Sequence, residues 1–162
     1  MKKTALFITQ AAMIAALYVV LTVFINAFNL ASGAIQVRIS EALTILPYFT
    51  PAAIPGLFVG CLISNFVTGC LPWDIVFGSL ATLIGAVGTY LLRKYKFMAP
   101  VPPILSNMII IPFVLIHVYG LTDAYWFLLL TVGAGEVISC GILGMIILFA
   151  LEPVKNAIFK TE

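Results

Sequence analysis

Between Tyr125 and Leu151 the sequence reads YWFLLLTVGAGEVISCGILGMIILFAL, and Glu136 is the one charged residue in it. A helix of about 20 consecutive apolar residues crosses a bilayer, so this run is long enough to span a membrane. Three more apolar runs, of comparable or shorter length, lie at residues 5–28, 75–92 and 104–116. We therefore predict an all-α integral membrane protein.

The composition supports the same fold class. Hydrophobic residues make up 63% of the chain and charged residues 9%, whereas about 25% of a typical soluble domain is charged. The net charge of +2 is too small to indicate a nucleic acid as partner, and the lipid bilayer is the expected surroundings. The three cysteines, Cys61, Cys70 and Cys140, lack C-x-x-C spacing, so we predict no disulfide framework, no metal site and no cofactor.

The distribution of charge predicts the topology. Seven of the eight basic residues fall in three clusters, at residues 2–3, 93–96 and 155–160. The positive-inside rule places all three in the cytoplasm, so an even number of crossings must lie between residues 29 and 74. Two short helices, at 41–49 and 55–70, are predicted there. The result is six transmembrane helices, cytoplasmic termini and a single membrane domain over residues 1–162.

The predicted second helix is too short to cross a bilayer alone. Nine residues of helix rise about 14 Å, half the hydrocarbon thickness. Segment 41–49 must therefore be short, tilted or shielded by its neighbours. In this topology residues 29–40, 71–74 and 117–126 face outward, and Arg38 is the one basic residue among them.

The sequence lacks the patterns that catalysis requires. It has one histidine, and it contains no H-E-x-x-H, no G-x-S-x-G and no phosphate-binding G-x-x-x-x-G-K-[ST]. We predict that the chain is not an enzyme and does not hydrolyse ATP by itself. Uphill transport would need an ion gradient or a partner protein.

Glu136 lies about 16 Å along the last predicted helix, near the middle of the membrane. A charge there costs on the order of 3 kcal/mol even on the lenient insertion scale, and such residues usually face a cavity. A structural carboxyl, protonated or hydrogen-bonded to a neighbouring helix, is the alternative. Asn107 lies within the fifth predicted helix. Its amide could hydrogen-bond to a neighbouring helix or to a ligand, and the sequence favours neither.

Three more charged residues are candidate site residues, but a structural role at the end of a helix could also explain each of them. Glu41 in the first turn of a helix would offset the helix dipole, with Ser40 as cap and Arg38 as ion-pair partner. Asp74 could cap the fourth helix or contact a ligand.

Aromatic and polar side chains collect on the outer side of this topology. Trp73 and Trp126 would belong to the interfacial aromatic belt of any membrane protein. Together with Gln36 and His117 they would also supply the planar surfaces and hydrogen-bonding groups of a site for a flat heterocycle.

Small residues on the first helix form two overlapping A-x-x-x-A patterns, Ala11/Ala15 and Ala12/Ala16. Alanines at this spacing leave a flat strip that lets another helix approach closely. The strip could pack inside the chain or against a partner protein.

Three stretches carry a resemblance to a known family. They are GAIQVRISEALTILPYFTPAAIPGLFVG at residues 33–60, DIVFGSLATL at 74–83 and GEVIS at 135–139. The whole chain resembles a substrate-binding (S) component of the energy-coupling factor (ECF) importers, specifically the QueT family for queuosine precursors. The resemblance implies a six-helix protein of the bacterial cell membrane. It would capture its substrate outside and dock onto a coupling membrane protein that carries two ATPase subunits.

The resemblance also implies a contact with the coupling protein and a lid. In S components an A-x-x-x-A strip on the first helix touches the coupling protein, and the alanines at 11, 12, 15 and 16 match it. The first outer loop acts as a lid, which places Gln36, Arg38 and Glu41 at or under it.

The substrate implied by the family is a 7-deazaguanine such as 7-aminomethyl-7-deazaguanine, or queuine. A carboxylate suits the guanine-like edge with its ring N–H and exocyclic amine, and a second carboxylate could hold a cationic aminomethyl group. Glu136 and Glu41 are the candidates, with Trp73 or Trp126 stacking on the ring.

Other functions compete with this one. A self-sufficient secondary carrier typically shows inverted repeats with broken helices, and an intramembrane enzyme should concentrate titratable groups at one depth. Neither pattern is visible in the sequence. An S component for another small, vitamin-like cargo is the nearest alternative, because S components share an architecture and differ in cargo.

Overall fold

The computed structural model describes residues 2–27 and 38–159, and every regular element among them is helical. The α-helices are α1 (Lys2–Ala27), α2 (Ala53–Val67), α3 (Pro72–Leu91), α4 (Val101–His117), α5 (Tyr125–Glu136), α6 (Gly144–Leu151) and α7 (Lys155–Ile158). A 3₁₀ helix, Ile39–Tyr48, precedes α2 and is called the 3₁₀ segment below. A stretch of π-helix, Val137–Leu143, joins α5 to α6, and short 3₁₀ turns lie at Lys96–Met98 and Glu152–Val154.

Four stretches are long and apolar enough to cross a membrane. They are Lys3–Ala27, Pro72–Leu91, Lys96–His117 and Tyr125–Ile158, and α2 is a shorter apolar helix. The predicted all-α membrane fold is therefore confirmed, and the chain is a multi-pass membrane protein.

The 3₁₀ segment lies at the centre of the fold. Every residue from 40 to 47 is buried, and the segment packs against α1, α2, α3, α6 and the π-helix. A 3₁₀ helix rises about 2.0 Å per residue, so a segment of this length extends roughly 20 Å. Its start, at Ile39, is two residues earlier than the sequence predicted. Neighbouring helices shield the segment, as a segment too short to cross a membrane requires.

Two glycines let α1 and α2 approach each other closely. A Cβ added at Gly56 would lie 2.7 Å from the carbonyl oxygen of Ala11, and one at Gly60 would lie 3.1 Å from the Cα of Ala15. Side chains larger than hydrogen do not fit at these distances. Ala11 and Ala15 therefore face α2 within the chain.

The other alanine pair of the first helix has a different environment. Ala12 and Ala16 are exposed on the surface of α1. The predicted contact with a coupling protein can therefore involve Ala12 and Ala16. Ala11 and Ala15 are not available for it, because α2 already covers them.

We expect Gly56→Ala to destabilise the protein by about 1–3 kcal/mol, because the new methyl group would overpack against the α1 backbone. Gly141→Ala is the matched control, since its Cβ would meet Val137 Cγ1 at 3.7 Å, an ordinary contact. Alanine favours a helix over glycine by up to about 1 kcal/mol, so the control should be neutral or stabilising. Equal thermal unfolding temperatures of the two variants in detergent would contradict the close approach.

One end of the molecule joins the start of α1 to the C-terminal part of the chain. Gln10 Nε2 donates to the carbonyl oxygens of Ile158 and Phe159, at 3.4 Å and 3.3 Å. Lys96 forms an ion pair with Glu152 nearby. Residues 93–96 and Lys155, which the sequence predicted to share one side of the membrane, thus lie at one end, which we call the basic end.

The opposite end contains residues 71–74 and 117–126, two of the connections that the sequence predicted to face outward. α3 has 20 residues, and a helix of that length rises about 30 Å, so Asp74 and Arg93 lie at opposite ends. Leu71 N donates to the hydroxyl of Tyr119 at 3.4 Å, which joins the start of α3 to the connection after α4.

Two predicted helix caps are corrected by the structure. α3 begins at Pro72 with Leu71 in the N-cap position, so Asp74 lies in the first turn and does not cap the helix. Arg38 is the N-cap residue of the 3₁₀ segment, and the Ser40 hydroxyl has no hydrogen-bond partner within the described residues. The 3₁₀ segment starts two residues earlier than expected and α3 starts three residues earlier, which moves each predicted cap inside its helix.

Candidate functional site

A cavity of about 340 Å³ lies at the end opposite the basic end. This volume falls within the ~300–1,000 Å³ range of small-molecule sites. The C-terminal half of α1, the start of the 3₁₀ segment, α2, α3 and α4 all contribute side chains to it. Its polar lining residues are Thr22, Asn26, Arg38, Ser40, Asn65, Thr68, Cys70, Asp74 and Tyr119. We call it the outer cavity.

A second and smaller cavity lies beside the outer cavity and contains Glu136. Its volume is about 10 Å³, and Arg38, Ile111, Val132 and Glu136 line it. Arg38 and Ile111 line both cavities. Arg38 therefore lies at the junction between the outer cavity and the Glu136 carboxylate.

Two buried carboxylates and an amide form a polar cluster beneath the outer cavity. The Tyr18 hydroxyl donates to Glu41 Oε1, and Asn107 Nδ2 lies 3.4 Å from Glu41 Oε2. Both oxygens of Glu41 are thus engaged by protein donors, whereas Glu136 faces the small cavity.

The π-helix places a thiol next to both carboxylates. Cys140 Sγ lies 3.1 Å from Glu136 Oε2, 3.4 Å from the Glu41 carbonyl oxygen and 3.3 Å from Thr44 Oγ1. π-Helical turns inside α-helices are frequent at functional sites. The sequence predicted one continuous α-helix here, so the π-helical turn was not expected, although Glu136 and Cys140, four residues apart, share a face of an α-helix as well.

The same three side chains are the group in the described residues that could hold a metal ion. The ligand atoms of Glu41, Glu136 and Cys140 lie within 4.8 Å of one another, and all three residues are buried. This arrangement of oxygen and sulfur atoms could equally accept N–H groups or a cationic group of an organic ligand. That the protein binds no metal stays a prediction.

Two buried hydroxyls lack hydrogen-bond partners within the described residues. Ser40 and Ser139 are each 1% exposed, and neither Oγ has a partner there. An unsatisfied buried polar group costs about 1–3 kcal/mol. Ser40 lines the outer cavity, so a bound molecule can supply the missing hydrogen bond.

Tyr119 and Asp74 connect two structural elements that line the outer cavity. The Tyr119 hydroxyl donates to Asp74 Oδ2 at 2.7 Å. Burial, together with the hydrogen bond and the charge of Asp74, raises the pKa of Tyr119 above its ordinary value. The phenol therefore stays protonated at neutral pH and holds the connection after α4 against the start of α3.

Several predicted site residues lie close together. Arg38 and Asp74 line the outer cavity, and Glu136 lines the small cavity that adjoins it. Glu41 and Asn107 bond each other directly beneath them. Most of the predicted polar residues thus belong to one continuous site.

Three predicted residues lie away from this site. Trp73 is 63% exposed and stacks on Phe77, and Trp126 is 73% exposed beside Tyr125. His117 is exposed, with Nδ1 3.0 Å from the carbonyl oxygen of Phe113. None of the three lines the outer cavity, and their positions suit an interfacial aromatic belt. Gln36 lies outside the described residues.

Other residues of the site were not singled out as ligand contacts from the sequence. Asn65 lies in α2 and Thr68 directly after it, and both line the outer cavity. Tyr18 is buried on α1 and bonds Glu41. An amide inside an otherwise apolar helix was the available signal for Asn65, whereas the contact of Tyr18 with Glu41 depends on tertiary packing.

Comparison with known proteins gives two findings. The profile of a family described as QueT transporter matches residues 8–153. A curated relative from Lactococcus lactis subsp. cremoris (strain MG1363), named Queuosine precursor transporter QueT, is 36% identical over 99 residues. That match covers 59% of this chain and 57% of the relative. No solved structure matches.

Proposed function

The chain belongs to the QueT transporter family, and from this membership we propose that it is the S component of an ECF importer for a queuosine precursor. It would work in the bacterial cytoplasmic membrane with a transmembrane coupling protein and two ATPase subunits. The sequence has no nucleotide-binding G-x-x-x-x-G-K-[ST] of its own, so ATP hydrolysis has to come from such partners.

The proposed topology has six crossings, with both termini in the cytoplasm. The position of the basic residues at one end supports it, because the positive-inside rule assigns that end to the cytoplasm. The outer cavity, with Arg38 and Asp74, would then open toward the outside. This is the side from which an importer receives its substrate.

The observation that carries the proposal is the continuity between the outer cavity and buried acceptors. Arg38 lines both cavities, Glu136 lines the inner one, and Ser40, whose buried hydroxyl has no partner within the described residues, is among the residues that line the outer one. A small polar molecule that enters from the outer end would meet these three groups in turn. Sites of this kind combine an apolar wall with a few well-placed polar groups.

A 7-deazaguanine has the chemistry that these groups require. Its ring N–H and exocyclic amine can donate to a carboxylate, and of the two buried glutamates Glu136 is the one that lines the small cavity beside the outer one. Glu41 would mainly fix the position of Asn107, because Tyr18 and Asn107 already occupy its two oxygens. Asp74, on the wall of the outer cavity, is placed to attract a cationic aminomethyl group.

A thermal-shift panel tests the identity of the cargo. We expect 7-aminomethyl-7-deazaguanine or queuine to raise the unfolding temperature of the purified chain without ATP, because a ligand that binds only the folded state stabilises it. Adenine provides a control heterocycle without the same donor edge and should leave the temperature unchanged. Stabilisation by a vitamin alone would contradict the proposed substrate and favour an S component for another cargo.

A further inference from the structure

A further polar cavity, separate from the outer cavity and from the small cavity beside it, lies at the basic end. Its volume is about 370 Å³, and its lining consists of three cationic and three aromatic residues: Tyr48, Phe49, Arg93, Lys94, Lys155 and Phe159. They come from the end of the 3₁₀ segment, the residues after α3, and α7 with the residue after it. We call this the basic cavity.

Aromatic rings give the basic cavity a fixed floor. The rings of Phe49 and Phe159 stack with centroids 5.2 Å apart and planes 3° apart, and both residues are buried. Tyr48 packs edge-on against Phe49, with ring centroids 5.0 Å apart. The Tyr48 hydroxyl has no hydrogen-bond partner in residues 2–27 and 38–159, so it is available as a donor.

The cations of the basic cavity are not neutralised by carboxylates of the part of the chain that the structure describes. Lys96 pairs with Glu152 nearby, but Arg93, Lys94 and Lys155 have no such partner there. Arg93 lies over the ring of Tyr90, 4.1 Å from its centroid. Three positive charges thus surround one concave surface.

A helix-dipole explanation covers only part of this arrangement. Arg93 and Lys94 follow the C-terminal end of α3, where cations offset the helix dipole. Lys155 comes from another element and lies in the last turn of the Tyr125–Ile158 helical stretch, where a cation has the same benefit. Neither the dipole nor the positive-inside rule gives a reason for three cations to surround one cavity with an aromatic floor, so a bound anion accounts for more of the arrangement.

We propose that the basic cavity binds the phosphate headgroup of an anionic phospholipid. The membrane-crossing helices end here, so the cavity lies at the depth of the headgroups, and basic pockets between helices at that depth bind such lipids. Leu91, just before Arg93, is 72% exposed and offers apolar surface for the acyl chains. Arginine and lysine would pair with the phosphate and the Tyr48 hydroxyl would donate to it. The proposal does not depend on the cargo.

The test measures lipid binding to the purified full chain in a neutral detergent, with dioctanoyl phosphatidylglycerol as probe and native mass spectrometry as readout. We expect the double variant R93Q/K155Q to bind this lipid about thirtyfold more weakly, from about 1 kcal/mol per basic side chain at a membrane surface. The matched control K2Q/K3Q removes the same charge from the same end and should bind like the wild type. Tyr48→Phe removes only the hydroxyl and should weaken binding by about threefold, at the low end of a neutral hydrogen bond.

Several outcomes would overturn the proposal. Equal binding of dioctanoyl phosphatidylcholine would mean that the anionic headgroup is not recognised. Equal stabilisation by inorganic phosphate or glycerol 3-phosphate would assign the cavity to a soluble anion instead of a lipid. Wild-type lipid binding by R93Q/K155Q would also overturn it, and loss of association with the coupling protein in that variant would then assign the basic cavity to a protein partner. The melting temperature of each variant, measured without lipid, separates lost binding from misfolding.

Discussion

Glu136→Gln is expected to weaken binding of 7-aminomethyl-7-deazaguanine by about tenfold or more, because a hydrogen bond to a charged group contributes about 1.5–3 kcal/mol. Gln has nearly the same shape as Glu but offers one acceptor oxygen in place of two. Its NH₂ group would also face the N–H groups of the ligand. Isothermal titration of the purified protein without ATP gives the affinity directly.

The ligand-free stability of the same variant separates recognition from a structural role. Gln removes a buried ionisable group at nearly constant volume, so the unfolding temperature without ligand should be unchanged or higher. Glu152→Gln, at the basic end, is the matched control and should bind the ligand like the wild type. A Glu136→Gln variant that unfolds earlier but binds within about twofold of the wild type would show that Glu136 is a structural carboxyl.

Ala12→Leu is expected to abolish co-purification with the coupling protein while leaving ligand binding unchanged. Ala12 and Ala16 are exposed on α1, and a larger side chain would keep another helix from approaching closely. The site residues of α1, such as Thr22, lie nearly three helical turns away from Ala12. Affinity capture of the tagged chain, co-expressed with its coupling protein and ATPases, gives the readout.

The choice of position matters for this experiment. Ala15 lies against Gly60, so Ala15→Leu would disturb the packing of α1 on α2. A loss of co-purification in that variant would therefore not identify a partner contact. Val20→Leu is the matched control, since Val20 is exposed on α1 and already carries a large apolar side chain. Unchanged co-purification of both Ala12→Leu and Ala16→Leu would exclude this strip as the contact surface.

The sequence predicts the fold class well because membrane burial depends on local composition. Apolar length alone identifies the long stretches, such as Tyr125–Ile158. Charge placement predicts that Arg93 and Lys155 share one end, and they line one cavity. The 3₁₀ conformation of Ile39–Tyr48 was not predicted, because shielding by neighbouring helices decides it and those contacts are long-range.

The candidate site is predictable only in part. Glu136 and Arg38 stand out in the sequence because a charge at those positions needs a physical reason, and both belong to the site. Trp73 and Trp126 do not line the cavity. The sequence could not show this, because an interfacial aromatic belt and a ligand contact both predict aromatic residues at this position. The π-helix after Glu136 has no sequence signature, and the contact of Cys140 Sγ with the backbone carbonyl of Glu41 is long-range, so both required the structure.

A ligand-bound structure of the purified chain is the most direct test of the claim that the outer cavity leads the substrate to Glu136. The account predicts a 7-deazaguanine in the outer cavity, with its ring N–H and amine within hydrogen-bonding distance of the Glu136 carboxylate and a polar atom near Ser40 Oγ. A ligand bound elsewhere, with Glu136 still bonded only to Cys140, would contradict it.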